Sequence, residues 1–306
     1  MLRLNSRCPT LAIYLCRGDG RAPTSICRLP FVRIRNRCFP RWLSRLQSRA
    51  GAGLRPLHPA MYTSRVMQVF AILPAAGMGT RMAGPQPKQF LSLDGIPILI
   101  HSLRAFAEVR RVSSIWVAVR KPEMERVQAQ VAEFHFGSRV EVVEGGENRQ
   151  ESVAHALAAL PADEDDIVLV HDAVRPLIDA ATIERTIDAV VQHGAAIVGM
   201  PAVDTIKQVE RTAHGALITS TIPREFIVLA QTPQGFRYGV LKSAFTEAMA
   251  DGFVGTDEAS VVERAGHPVA VVPGSPVNLK ITQPGDLELA EFYLRQRMPA
   301  GARNLG

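Results

Sequence analysis

Apolar positions along this chain fall into short unbroken runs separated by longer segments of helical period. Residues 69–73, Val-Phe-Ala-Ile-Leu, form one such run and read as a strand buried on both faces. The run feeds Pro74-Ala75-Ala76-Gly77-Met78-Gly79, a tight loop of small residues. Residues 91–97 form a short hydrophobic segment with an Asp94-Gly95 turn, and Pro97 is expected to open a helix to about residue 106. Residues 113–119, 140–143, 167–170, 195–200 and 269–272 read as strands. Helices are expected over residues 123–134, 150–160, 180–193, 238–250 and 285–297, with Thr256 as N-cap of another and residues 278–281 crossing the site as a strand. Such alternation predicts an α/β fold: a mostly parallel, Rossmann-like sheet with helices on both faces.

Residues 201–225 break the alternation, since two strand-like segments flank a polar turn at residues 212–215. They predict a protruding β-hairpin arm. A lone hairpin is marginal in water, so the arm is expected to pair with a second copy, giving a homodimer.

Charge divides the 306 residues sharply. The net +6 arises because residues 1–65 hold 13 Arg, no Lys and one acidic residue, Asp19, whereas the remainder is net −6. All four cysteines, Cys8, Cys16, Cys27 and Cys38, also lie in this leader, at spacings that match no common zinc pattern. Three readings of residues 1–65 stand: an organelle transit peptide, a nucleic-acid-binding arm, or translation begun upstream of a start at Met61 or Met67. The last is favoured, so the leader is expected to be disordered or absent from the mature protein, with the globular domain spanning residues 66–300. The cysteine-free body fits a reducing cytoplasm, with organelle import by the leader the minor alternative. No run approaches the roughly 18 apolar residues of a membrane span, so no membrane partner is expected, and the acidic body argues against nucleic acid as a partner.

The loop after the first strand carries the chemistry. Small residues let backbone N–H groups approach a phosphate, and Arg81 and Lys88 place two positive charges beside it. Met82 stands where a dinucleotide fingerprint needs its third Gly, and no Gly-Lys-Ser/Thr follows to make a P-loop. What remains resembles a nucleotidyltransferase signature. Asp172 closes the apolar run 167–170, and a strand-end acid in an open parallel sheet is a candidate metal or ribose contact; it could instead cap a helix or pair with Arg175.

Further blocks sharpen the resemblance: Pro87-Lys88-Gln89, Gly145-Gly146-x-x-Arg149-x-x-Ser152, His171-Asp172-Ala173-x-Arg175-Pro176, Asp204-Thr205-x-Lys207, Gln231-Thr232-Pro233-Gln234, Thr256-Asp257-Glu258-Ala259 and Asn278-x-Lys280. Together with the first loop they resemble the 2-C-methyl-D-erythritol 4-phosphate cytidylyltransferases from about residue 67 to 297. The resemblance implies transfer of CMP from CTP to methylerythritol phosphate, with Mg²⁺ bridging phosphate oxygens. It also implies Arg81 and Lys88 as catalytic cations, and Ala75, Ala76, Gly77, Gly79, Gly146, Ser152, Asp172 and Lys280 as CTP contacts. Asp172 is the candidate metal ligand. Thr205, Arg224 and Thr232 match acceptor-binding positions, the first two reaching in from the partner's arm. Glu147-Asn148 departs mildly from the family pattern, and Ser152 could simply cap a helix. His171 reads as structural.

Two other functions compete. A cytidylyl- or uridylyltransferase acting on another alditol or sugar phosphate, such as ribitol phosphate, would share the loop and sheet but differ on the acceptor side. A nucleic-acid-binding protein would use the leader, against the acidity of the body.

Overall fold

The computed structural model describes residues 65–77 and 86–297. Gly79 and Arg81, like the leader up to residue 64, lie outside the described residues. Arg65, assigned to the leader on composition, pairs with Asp163 and, at 3.2 Å, with Asp166 of the body.

Numbered in chain order, the strands are β1 (Val69–Pro74), β2 (Ser92–Leu93), β3 (Ile96–Pro97), β4 (Ser114–Val119), β5 (Val140–Glu144), β6 (Ile167–Val170), β7 (Ala195–Pro201), β8 (Ile206–Thr212), β9 (Gly215–Ile222), β10 (Val228–Arg237) and β11 (Ala270–Pro273). Seven of them form one sheet in the order β11-β7-β10-β6-β1-β4-β5. Pairing is parallel throughout except at β10, which runs antiparallel to both β6 and β7. β10 is a ten-residue strand that takes in the Gln231-Thr232-Pro233-Gln234 motif. Apolar patterning reports burial, not direction, so the reversal had no signal there.

The unbroken apolar run of β1 follows from its central place. Ala71 and Leu73 point into one layer, with Leu103 and Phe106 of helix Ile98–Ala107 and Ile183 and Ile187 of helix Ala180–His193. Phe70 and Ile72 point into the other, with Val153 and Leu157 of helix Arg149–Ala159 and Leu241 and Phe245 of helix Tyr238–Ala250. Each such large side chain contributes roughly 1.5–3 kcal/mol by leaving water. A third cluster, around Leu93, Ile98, Leu177 and Ile281, seats helix Pro284–Arg297 and the β2–β3 turn, where Asp94 and Gly95 take positive φ of 52° and 76°. This is the Asp-Gly geometry that a tight hairpin needs.

Three helix starts are set by side-chain caps. Asp179 accepts from the Thr182 N–H at 2.7 Å and Asn148 from the Glu151 N–H at 2.9 Å. Helix Glu258–Arg264 is capped by Asp257, not Thr256: Asp257 and Ser260 exchange side chain-to-backbone bonds in a reciprocal box, which fixes the start one residue later than expected. Residues 278–281 form no strand. The Pro-Gly-Ser-Pro run at 273–276 ends β11, and the segment is held by the Ile281 N–H to Val174 C=O bond of 2.9 Å and by buried Asn278. The arm, β8 paired antiparallel with β9, forms its own two-stranded sheet.

Gly235 lies where β10 meets helix Ala180–His193; a Cβ there would sit 2.7 Å from Val190 and 2.8 Å from Leu169 side-chain carbons. Gly235→Ala should therefore destabilise by about 1–3 kcal/mol through overpacking, read as a lower denaturant midpoint at unchanged m-value.

Candidate active site

Strand order reverses between β1 and β6: β4 and β5 extend the sheet one way from β1, β6 and its neighbours the other. Above the carboxyl ends of strands at such a point the connecting loops diverge and leave a crevice. The crevice here is walled by Ala75, Ala76 and Gly77 after β1, Gly146 after β5, Asp172 after β6, with Lys88 and Lys280 at its sides.

Local sequence explains each wall. The Gln89 side chain, buried, donates from Nε2 to the Ala75 carbonyl at 2.6 Å and the Gly77 carbonyl at 3.2 Å. It thereby ties the segment beside Lys88 to the loop that leaves β1. Gly145 lets the second loop press on the first, since a Cβ there would lie 2.9 Å from the Ala76 Cβ and 3.0 Å from Ser152 Oγ. Ser152 accepts from the Gly146 N–H at 3.1 Å and donates to the Asn148 carbonyl at 2.8 Å, closing the Gly-Gly turn onto the helix that follows. Its role in the structure is thus to shape the loop, with Asn148 as the cap.

Asp172, 6% exposed, is the electrostatic centre of the crevice. Its Oδ1 meets Arg149 Nε at 3.2 Å; its Oδ2 meets Arg175 Nε at 3.2 Å and Lys280 Nζ at 2.9 Å. Burial alone would raise its pKa, but Arg149, Lys280 and Arg175 together hold the carboxyl well below the usual carboxylate range. Arg149 in turn forks onto Glu258, with Nη1–Oε1 of 2.6 Å and Nη2–Oε2 of 2.9 Å. Arg175 also donates from Nη1 to the Asn278 carbonyl at 2.8 Å, binding the Lys280 segment to β6.

Behind Asp172 lies a directed hydrogen-bond chain. His171 Nε2 faces the Arg175 carbonyl at 3.1 Å, so that nitrogen carries the proton and Nδ1 accepts from Thr232 Oγ1 at 3.0 Å. Thr232 Oγ1 then accepts the Asp172 backbone N–H at 3.0 Å. Burial lowers the His171 pKa to about 4, so the ring is neutral near pH 7. The ring is fully buried and takes no part in the crevice surface.

The sequence-derived residues thus divide. Ala75, Ala76, Gly77, Lys88, Gly146, Ser152, Asp172 and Lys280 converge on the crevice. Thr232 supports it from behind, with its hydroxyl committed to Asp172 and His171 and 4% exposed. Thr205 and Arg224 lie exposed at the base of the arm, one just before β8 and one just after β9, with Arg224 donating to the Val203 carbonyl, and neither lines the crevice of its own chain. Gly79 and Arg81 fall outside the described residues. Sequence reasoning gave no role to Gln89, Arg149 or Glu258. A Glu among Ala259, Val261 and Val262 was the available signal, because such a burial demands a cation, but the partner stands 109 residues away.

A resident metal does not fit these donors. Among the described residues no group of three or more His, Cys, Asp or Glu side chains could hold a metal ion. Asp172, the sequence candidate, has both carboxylate oxygens engaged by cations.

A family model described as 2-C-methyl-D-erythritol 4-phosphate cytidylyltransferase matches residues 69–296. A protein of that name from Acidobacterium capsulatum is 70% identical over 236 residues, covering 76% of this chain and 99% of its own length. One from Solibacter usitatus is 52% identical, with 75% and 97% covered. The crystal structure of the Thermus thermophilus 2-C-methyl-D-erythritol 4-phosphate cytidylyltransferase superposes with a TM-score of 0.59 at 33% identity, covering 75% of this chain and all of that one. The Francisella tularensis structure of the same name gives 0.61 at 34%, with 74% and 99% covered.

The neutral, buried His171 makes stability depend on pH. Because its folded pKa of about 4 lies below the ordinary 6.5, the unfolded chain binds the extra proton first as pH falls. Stability from this group is complete above pH 6.5 and is lost between about 6.5 and 4, by on the order of 3 kcal/mol. His101, lowered chiefly by burial, acts in the same direction. Denaturant unfolding at pH 7, 6 and 5 should show this slope, and His171→Gln should flatten it.

Proposed function

The chain belongs to the 2-C-methyl-D-erythritol 4-phosphate cytidylyltransferase family, and on that premise we propose how its crevice transfers CMP from CTP to 2-C-methyl-D-erythritol 4-phosphate. The products are 4-diphosphocytidyl-2-C-methyl-D-erythritol and pyrophosphate, a step of non-mevalonate isoprenoid precursor synthesis. The carrying observation is the meeting of a small-residue loop with Lys88, Lys280 and Asp172 at the point where the strand order reverses.

An oxygen of the acceptor phosphate attacks the α-phosphorus of CTP, forming one P–O bond as the bond to the bridging β-phosphate oxygen breaks; the electron pair and charge leave with pyrophosphate. A phosphate monoester has its second pKa near ~6, so the nucleophile is ionised near neutrality and needs no protein base. The neutral, hidden His171 agrees with this. Arg81 and Lys88 neutralise the triphosphate and the charge that grows on the α-phosphoryl oxygens, while Lys280 turns from Asp172 toward the phosphates. Mg²⁺ enters as part of the substrate, bound to CTP phosphate oxygens, since that ion takes few protein ligands. The loop of Ala75, Ala76 and Gly77, together with Gly146 and Ser152, reads the cytosine, Gly79 is a further CTP contact, and Asp172 faces the ribose.

The acceptor is held by Thr205 and Arg224 of a second copy, with Thr232 backing the site. Two observations support the dimer. The arm is a lone two-stranded sheet, and Leu217, Ile218 and, just beyond it, Phe226 at 82% exposure present apolar surface that a monomer would leave in water. The cytoplasm is the proposed compartment, supported by the cysteine-free body and by bacterial relatives. Among the described residues no helix is long and apolar enough to cross a membrane.

Arg81→Ala and Lys88→Ala should each lower kcat on the order of a hundredfold while changing CTP affinity far less. Mixed dimers test the shared site. Lys88→Ala and Arg224→Ala chains are each nearly inactive alone, but combined they regain one intact site per heterodimer and up to about half the wild-type activity of that species. Absence of any recovery, with heterodimers present, contradicts the shared site.

A further inference from the structure

Glu258 is a buried carboxylate that the transfer reaction does not itself require. It is 1% exposed and lines none of the crevice, yet its helix start is braced with unusual care. Gln234 on β10 donates to Asp257 Oδ2 at 2.7 Å and accepts the Ala259 N–H at 3.0 Å, and the Asp257–Ser260 capping box locks the same turn. Glu258, between these two braced residues, then offers both oxygens to the Arg149 fork, whose third nitrogen meets Asp172. The path runs from the sheet through Glu258 and Arg149 to the carboxylate at the centre of the crevice.

We propose that Glu258 and Arg149 act as a positioning pair for the transfer: Glu258 aims the Arg149 guanidinium so that it holds Asp172 in place when Lys280 leaves to engage phosphate. This rests on the reading of Asp172 and Lys280 as site residues. The charge arrangement requires such a holder. Oδ2 of Asp172 is shared by Arg175 and Lys280, whereas Oδ1 depends on Arg149. Once Lys280 turns away, Arg149 and Arg175 are the partners that fix the carboxylate's rotation. A guanidinium bridges two carboxylates through three fixed N–H directions, which a single ammonium cannot do. Without Glu258, both Nη groups of Arg149 lose their acceptor, the guanidinium is free to swing, and Asp172 rotates out of place once Lys280 has turned to phosphate. Small misplacements of aligned groups can cost up to about a hundredfold in rate.

The test uses full-length Glu258→Gln, Arg149→Lys, the double variant and Asp172→Asn, with kcat expressed per folded molecule and CTP affinity measured by calorimetry. Both single variants should lose at least tenfold in kcat with CTP affinity within threefold of wild type. The double variant should lose no more than the worse single, because each change breaks the same path. Arg149→Lys keeps the buried charge and decides the matter alone if Glu258→Gln does not fold. Folded Arg149→Lys with kcat within twofold of wild type overturns the proposal, as do single losses that multiply in the double variant. Asp172→Asn separates the two layers: if it too retains wild-type turnover, the reading of the site has failed rather than the positioning pair alone.

Discussion

A carboxylate taken out of water loses hydration worth several kcal/mol, and only cations or several donors at close range can replace it. Asp172 sits at the end of a central strand under that constraint, and its solution draws four separate parts of the chain together. Arg149 comes from the start of a helix, Arg175 from the turn after β6, Lys280 from the irregular segment after β11, and Glu258 is recruited to balance Arg149. The crevice is therefore shaped by a charge balance as much as by packing. Removing Arg149 would leave Glu258 buried without its cation, and breaking a buried pair in this way typically costs about 3–5 kcal/mol.

The same constraint explains why the neighbouring polar groups are silent chemically. His171 is sealed against Phe106 at 4.9 Å between ring centres, and with Thr232 it gives the Asp172 backbone a fixed acceptor. Its work is to hold the strand end, not to move protons. A reaction whose nucleophile is already ionised needs alignment and positive charge, and the crevice supplies those from a rigid sheet edge. In the proposed function the acceptor side is the exception, since it is assigned to an arm whose apolar residues Leu217 and Ile218 are exposed.

Much of this architecture was legible in sequence because the signals are local. The unbroken run of β1 marks a central strand, Asp94-Gly95 marks the β2–β3 turn, and the polar break at residues 212–215 marks the arm. The first loop and Asp172 follow from position at strand ends, and Lys88 from its charge close after that loop. What stayed hidden depends on partners far apart in the chain. Glu258 and Arg149 carry conspicuous charge but reveal a role only when paired, and Gln89 reads as an ordinary polar residue until its bonds to Ala75 and Gly77 are seen. The direction of β10 was equally invisible, because burial on both faces gives the same pattern in either orientation. Thr256 and Asp257 are both good caps, and only Ser260 three residues on from Asp257 decides between them.

The most direct measurement of the whole account is pyrophosphate release by the full-length chain, with CTP or UTP crossed against 2-C-methyl-D-erythritol 4-phosphate or ribitol 5-phosphate, in the presence of Mg²⁺. The account predicts sustained turnover with CTP and methylerythritol phosphate and at least a hundredfold less with either substrate exchanged. Equal or faster turnover with ribitol phosphate, or none with any pair from folded protein, would contradict it.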